Sequence, residues 1–207
     1  SAPSEDAGPR APRFKATTRV LPGPVQAEMR QHSWREGCPV GLDKLVLLEI
    51  SHWGFDDQVH LGELVVNKEV ADEVIAILRE LFDARFPIEK MRRIDAYQGD
   101  DDASMADNNT SAFNCRFKSG SREYSRHSWG TAIDINPLIN PWVRKKRVEP
   151  PGGEVYADRS KPAKGLIVAN GVVHRAFRQR GWWWGGKWRR SKDYQHFEKR
   201  RAVGGTP

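Results

Sequence analysis

The chain of 207 residues is short of three things, and each shortage narrows what it can be. It has only two cysteines, Cys38 and Cys115. Neither has a second cysteine at metal-binding spacing, which makes them poor zinc ligands. In an exported protein the two would form one disulfide tying the N-terminal part to the second half, and in a reducing compartment they would be two buried thiols. We expect the disulfide. No apolar run approaches the roughly 20 residues that a membrane-crossing helix requires, so no membrane span is expected. No secretory signal pattern stands in the first residues, although Ser1-Ala2-Pro3 is compatible with a mature N-terminus left by cleavage. Helix-turn-helix, zinc-finger and RNA-recognition signatures are missing too, so nucleic acid is not an expected partner.

What is present is the balance of a soluble globular protein, with 38% hydrophobic and 29% charged residues. The length suits one domain with extensions. A formal charge of +7 favours anionic partners. The basic residues are scattered or run as Arg144–Arg147 and Lys199–Arg201, and each run alone reads as solvated surface.

Along the chain, residues 1–17 hold three prolines and no periodicity, which reads as a flexible leader or linker. A single domain is expected over 18–198, with a basic tail over 199–207. Val25–His32 is a short candidate helix. The apolar runs 44–50 and 59–66, separated by Gly54 and two aspartates, predict a hairpin. His52 and His60 lie on it and read as ordinary strand-face residues. Asn67 then predicts an N-cap for a helix reaching about Phe86, with Val70, Val74, Leu78, Leu81 and Phe82 on one face. Ile94–Tyr97 reads as a strand. Residues 99–107 read as a solvated acidic loop in preference to a calcium site, since the EF-hand order of ligands is missing. Residues 136–159, rich in proline and glycine, predict an extended surface insertion able to shape substrate choice. A short helix over 172–180 would carry an exposed His174.

The chemistry concentrates in Ser125-Arg126-His127-Ser128-Trp129-Gly130-Thr131-Ala132-Ile133-Asp134. An imidazole and a carboxylate stand seven residues apart with a glycine between them. On a continuous strand they would be roughly 23 Å apart and on opposite faces. On one helix they would be separated by about 10 Å of rise. Neither fits one metal, whose ligands sit about 2 Å away. A bend at Gly130 solves the problem, followed by a short strand with Ile133 and Ile135 facing the core and Ala132 and Asp134 facing a cleft. A third ligand is offered late, in Asp193-Tyr194-Gln195-His196-Phe197. Two histidines and one carboxylate form a recurring zinc set that leaves a fourth position open for water. His127, Asp134 and His196 fill it, and Asp193 is a spare carboxylate of the kind a metallohydrolase uses as general base.

Ser-x-His-x-x-Gly-x-Ala-x-Asp followed by Asp-x-x-His-Phe resembles the zinc D-alanyl-D-alanine carboxypeptidase and L-alanyl-D-glutamate peptidase family, whose fold is shared with hedgehog signalling domains. The resemblance runs from about Met91 to Phe197 and takes in Asn109–Arg116 and Trp184–Trp188. It implies an α+β fold in which a small antiparallel sheet bears the zinc site, with helices packed on one side. It also implies Zn²⁺ held by His127, Asp134 and His196, with Asp193 as catalytic base. Many carboxypeptidase members carry Glu where Asp193 stands, and Asp is more familiar in the endopeptidase branch. The implied partners are peptidoglycan stem peptides, with anionic cell-wall polymers besides, in a secreted or cell-wall-associated monomer or a phage-type lytic enzyme. A non-catalytic zinc module of the hedgehog type is the competing reading, against which Asp193 argues.

Three further residues are candidates for substrate contact. Arg116 would hold a substrate carboxylate or the oxyanion, although it stands only eleven residues before His127, and an ordinary surface arginine is the alternative. Ser125 would donate its hydroxyl to a carboxylate or brace the loop. Among the tryptophans of 181–188, at least one should wall the zinc cleft, with Trp184 the candidate. Trp182 and Trp184 would share one strand face, and Trp183 the other.

Overall fold

The computed structural model describes residues 11–200. The first part of the chain forms β1 (Ala16–Val20), α1 (Gly23–His32), β2 (Leu45–Trp53), β3 (Val59–Asn67) and α2 (Ala71–Asp83). The middle adds β4 (Lys90–Met91), α3 (Asp101–Ala106), β5 (Asn109–Thr110) and β6 (Ala132–Asp134). Last come β7 (Trp142–Arg144), β8 (Arg147–Glu149), α4 (Val172–Arg178), β9 (Trp182–Trp184), β10 (Lys192–Asp193) and β11 (His196–Lys199). The architecture is α+β, with small antiparallel sheets ordered β1-β2-β3, β6-β11-β9 and β10-β7-β8, and a short parallel pair β4-β5.

The expected hairpin is β2-β3, in register from Leu45 opposite Asn67 to Trp53 opposite Val59. The near-continuous apolar run of β2 is explained by cover on both faces. Val46, Leu48 and Ile50 face the main core with Val74, Ile77, Leu78 and Leu81 of α2. Leu45 and Leu47 face a second cluster with Met29 of α1, Phe113 and Cys115. At about 25 cal/mol per Å² of apolar surface removed from water, these two layers supply most of the drive to fold. Asn67 does end the hairpin as a cap, its side chain accepting from the Glu69 amide at 3.1 Å. A 3₁₀ turn over Lys68–Val70 precedes α2, which ends at Asp83.

The sheet β6-β11-β9 divides the molecule's chemistry by strand alternation. Ile133, Phe197, Trp182 and Trp184 point into the main core, where Phe177 of α4 stacks on Phe197 at 4.0 Å between ring centroids. Asp134 pairs directly with His196, and Glu198 pairs with Ala132 on one side and Trp183 on the other. These residues occupy the opposite face, so one sheet is core on one side and site on the other.

Several expectations are corrected. Ile94–Tyr97 is a 3₁₀ turn, not a strand. Its Asp95 is buried because Ser33 donates to it at 2.7 Å and Arg93 pairs with it, a tertiary arrangement that no local pattern announces. The acidic stretch 99–107 is helical and not a loop, although Asp100 and Asp102 are exposed as expected. Asp100 caps α3 by accepting from the Ala103 amide at 3.0 Å, and Asp101 and Asp102 sit in its first turn, where a carboxylate meets the positive end of the helix.

The stretch 136–159 is no extended surface insertion either: it folds back as the β7-β8 hairpin, hydrogen-bonded to β10. Asn136 and Asn140 are fully buried and tie its root down. The Asn136 amide donates to the Pro87 carbonyl at 2.9 Å and the Asn140 amide to that of Gly165 at 2.9 Å. His174 is buried, its Nδ1 accepting from the Asn170 amide at 2.9 Å. Burial first, then Lys187 and Arg178, depress its pKa. Of the expected leader, residues 1–10 lie outside the described residues. From Phe14 onward the chain already belongs to the fold, since Phe14 packs edge-on against Phe82 at 5.4 Å and β1 begins at Ala16. In the expected tail, Lys199 closes β11, and 201–207 lie outside the described residues.

Cys38 and Cys115 are joined in a disulfide that spans 77 residues. A closed loop of that length implies roughly 4 kcal/mol of stabilisation by the chain-entropy model. Reduction should therefore lower the denaturant midpoint by that equivalent, read by tryptophan fluorescence with and without reductant. An unchanged midpoint would show that the bridge does not restrain the unfolded chain.

Candidate metal centre

His127 is set by a short loop whose every turn has a cause. Ser125 caps a 3₁₀ turn over Arg126–Trp129, accepting from the His127 amide at 3.4 Å. Gly130 ends the turn at φ +69°, in the left-handed region that glycine enters without strain. A Cβ there would also stand 2.6 Å from the Asn67 amide nitrogen. That closeness has a purpose, since the same amide donates to the Gly130 carbonyl at 2.9 Å and the Asn67 side chain donates to the Trp129 carbonyl at 3.1 Å. The bend expected at Gly130 is thus pinned to the end of the β2-β3 hairpin.

Immediately after the bend, β6 carries Asp134 beside His196 of β11. The segment around Ser111 bridges to Asp134 on the other side, through backbone hydrogen bonds of 2.9 and 3.1 Å. Three donor atoms converge: His127 Nε2 lies 3.0 Å from Asp134 Oδ2, His196 Nδ1 lies 2.9 Å from Asp134 Oδ1, and the two ring nitrogens are 3.3 Å apart. All three residues are buried, and their potential ligand atoms lie within 4.8 Å of one another.

The remote ring nitrogens are occupied as metal-binding imidazoles require. His127 Nδ1 meets the Ala112 carbonyl at 2.5 Å, and His196 Nε2 meets Glu198 Oε2 at 3.2 Å. Those contacts leave Nε2 of His127 and Nδ1 of His196 facing the carboxylate. Two imidazoles and one carboxylate fit zinc, with room in its tetrahedron for one more ligand.

The electrostatics carry the mark of a cation site. Burial resists ionisation of Asp134, yet His127 and His196 outweigh it and hold the carboxyl well below the usual range. Burial likewise resists charge on His196, but hydrogen bonds to Asp134 and Glu198 prevail and push its pKa up to about 10. Without a metal, the pocket therefore holds a proton on His196 to balance the buried carboxylate.

The three residues open into a cleft of about 600 Å³ that also contains Asp193, Arg116, Ser125, Asp101, Gln195 and Trp188. Asp193 stands on β10 opposite Trp142 of β7. It is walled by Gly185, where a Cβ would come within 2.6 Å of the Asp193 carbonyl oxygen. Desolvation first, and then the negative charges of Asp134 and Asp101, raise its pKa to about 7. Among the described residues its Oδ1 is buried without a hydrogen-bond partner, as are Gln195 Oε1 and Arg116 Nε. Three unsatisfied polar atoms around one cleft are unusual enough to need a role. Arg116 is held at 2.7 Å by Asp101 of α3, a half-buried carboxyl whose pKa desolvation raises.

His127, Asp134, His196, Asp193, Arg116 and Ser125 are thus brought together. Trp184 is not among them. It is buried in the core, with its indole NH donating to the Tyr194 carbonyl at 2.9 Å. The alternation of β9 directs it away from the cleft, and Trp188 and Trp142 line the cleft in its place. Trp188 stands 5.5 Å from His196 between ring centroids. Sequence reasoning missed Asp101, Glu198 and Gln195. The period-two alternation of β11 offers a signal for Glu198, which falls on the face of His196. Asp101 has none, because it depends on where α3 docks.

Residues 119–199 match the family model described as D-alanyl-D-alanine carboxypeptidase. The match takes in the bend, β6, the β7-β8 hairpin and the strands bearing Asp193 and His196, and it is less than half of the chain. No curated protein and no solved structure matches the chain.

Because a metal at Nδ1 must displace the proton of His196, zinc binding at pH 7 should release about one proton. Affinity should rise with pH toward about 10, the value at which free His196 loses that proton unaided. Calorimetric titration in buffers of differing ionisation heat reads the proton directly. Zinc binding with no proton exchanged would show that free His196 is already neutral at pH 7, with Nδ1 bare.

Proposed function

We propose that the protein is a zinc-dependent peptidase that hydrolyses peptidoglycan stem peptides, as an L-Ala-D-Glu endopeptidase or a D-Ala-D-Ala carboxypeptidase. The observation that carries this reading is the convergence of His127, Asp134 and His196 in a cleft that also holds the half-buried Asp193, whose Oδ1 is buried and unpaired among the described residues. The family match over 119–199 agrees with it.

His127 Nε2, His196 Nδ1 and an Asp134 oxygen would hold the ion. Bound there, Zn²⁺ would supply Lewis acidity, which brings the ionisation of water toward neutral pH and polarises a carbonyl. Asp193 accepts the proton of the attacking water and delivers it to the leaving amine. A base poised near neutrality suits that double duty, and desolvation in the cleft provides it. Arg116, fixed by Asp101, presents a guanidinium to a substrate carboxylate or to the developing oxyanion. Ser125 adds a hydroxyl on the same wall. The disulfide between Cys38 and Cys115 favours an oxidising location, consistent with a secreted or wall-associated enzyme.

Asp193→Ala should lose roughly 10² to 10⁴-fold in kcat, the usual weight of a general base, with zinc still bound. Retained turnover would remove Asp193 from the role. His127→Ala should lose the metal, and full zinc content by atomic emission would sink the ligand assignment. Since Asp193 acts deprotonated, kcat/KM should fall on the acid side, with its limb at or below about 7 because a bound cation stabilises the carboxylate.

The bond is named by mass spectrometry of purified peptidoglycan fragments incubated with and without a chelator. A chelator-sensitive loss of terminal D-Ala assigns a carboxypeptidase, and a cut after L-Ala assigns an endopeptidase. No product from zinc-loaded protein would overturn the peptidase reading in favour of a non-catalytic zinc module.

A further inference from the structure

Trp183 is more than half exposed (55%) in a chain whose neighbouring tryptophans are buried, and the peptidase reading gives it no task. Its surroundings do. The guanidinium of Arg200 lies over its ring at 4.4 Å from the centroid, and Arg200 Nε donates to Glu198 Oε1 at 2.8 Å. The second oxygen of the same carboxylate, Glu198 Oε2, meets His196 Nε2 at 3.2 Å. Trp183 and Glu198 are directly opposed on β9 and β11, so their side chains leave the sheet on the face that carries His196. Glu198 is buried while Arg200 is partly exposed, so the chain of contacts runs from the surface into the metal centre.

We infer that Trp183, Arg200 and Glu198 form a positioning clamp that fixes the tautomer and ring orientation of His196 for metal binding. An imidazole that ligates through Nδ1 must carry its hydrogen on Nε2, and a carboxylate acceptor there selects that tautomer and makes the ring a better donor to the metal. A carboxylate free to rotate would hold the ring less well. Glu198 is gripped at both oxygens, and the planar guanidinium that grips it is itself held against an indole. None of the three is a catalytic residue, and each acts through His196. The inference rests on the zinc reading of the site.

The test is zinc affinity by chelator competition, with the visible spectrum of the Co²⁺-substituted protein as a second readout, on wild type, Glu198→Ala, Glu198→Gln, Arg200→Ala and Trp183→Ala. Glu198→Ala should bind zinc about 10 to 100-fold more weakly, the usual effect of removing an outer-sphere partner, and should shift the Co²⁺ bands. Glu198→Gln, which keeps an acceptor oxygen, should recover most of the affinity. Arg200→Ala and Trp183→Ala, at partly exposed positions, should weaken binding by smaller factors in that order. Wild-type affinity in Glu198→Ala would overturn the clamp. Should Glu198→Ala fail to fold, unchanged affinity and unchanged Co²⁺ bands in both Arg200→Ala and Trp183→Ala would overturn it equally. Failure of the wild type to bind zinc is a different result, and would remove the metal centre itself.

Discussion

A carboxylate buried between two imidazoles is the constraint around which this molecule is built. Asp134 is taken out of water, where an isolated charge is costly unless it is compensated. The compensation is a cation on the imidazole side: a proton on His196 when no metal is bound, and a metal when one is. Either state demands that His127 Nε2, His196 Nδ1 and the Asp134 oxygens stay within hydrogen-bonding reach of one another. The rest of the local structure enforces that reach. The Ala112 carbonyl turns one ring and Glu198 the other, while Ser111 holds the Asp134 backbone. Asn67 anchors the bend that returns the chain from His127 to Asp134.

The supports of the three ligands come from distant parts of the sequence, which is why the core and the site depend on each other. The segment carrying Ala112 is tied at Cys115 to Cys38, and the Cys115 amide donates to the Ser33 carbonyl at 2.9 Å. The bend leans on the β2-β3 hairpin, whose two faces are filled by α1 and α2. The strand bearing His196 is seated by Phe197 against Phe177 of α4. A cavity opened in that last contact would act at the neighbouring residue, because Phe197 and His196 leave opposite faces of one strand.

Much of this was legible in the sequence where a local rule governs. The period of two along Thr131–Ile135 separates core from cleft, the glycine between histidine and carboxylate marks the bend, and the α2 stripe marks its buried face. The burial pattern of Trp182–Trp184 likewise follows from alternation alone. What failed were inferences from composition. Acidic residues at 100–102 suggested a loop, yet they are the cap and first turn of a helix docked at the cleft. Prolines and glycines over 136–159 suggested an open loop, yet buried asparagine amides make it a rooted hairpin. Trp184 was the chemically plausible wall, but strand alternation places it in the core, and Trp188, beyond the next turn, reaches the cleft. Docking of one element on another sets each of these outcomes, and docking leaves no trace in a window of ten residues.

Asp193 and the three candidate metal ligands sit on different supports. Asp134 and His196 stand on the β6-β11-β9 sheet and His127 on the 3₁₀ turn that leads into β6, whereas Asp193 belongs to β10, paired with the β7-β8 hairpin. Catalysis by water needs the proton acceptor and the metal aligned to within about 0.5 Å. Two junctions enforce that alignment. Only two residues, Tyr194 and Gln195, separate Asp193 from His196, and the Gln195 carbonyl accepts from the Ile135 amide at 3.0 Å, just beyond Asp134. On the other side, Gly185 allows the chain after β9 to pass against the Asp193 backbone, with no space for a side chain. Arg147 lines the cleft beside the hairpin's turn, whereas Glu149, opposite Trp142, lines it level with Asp193.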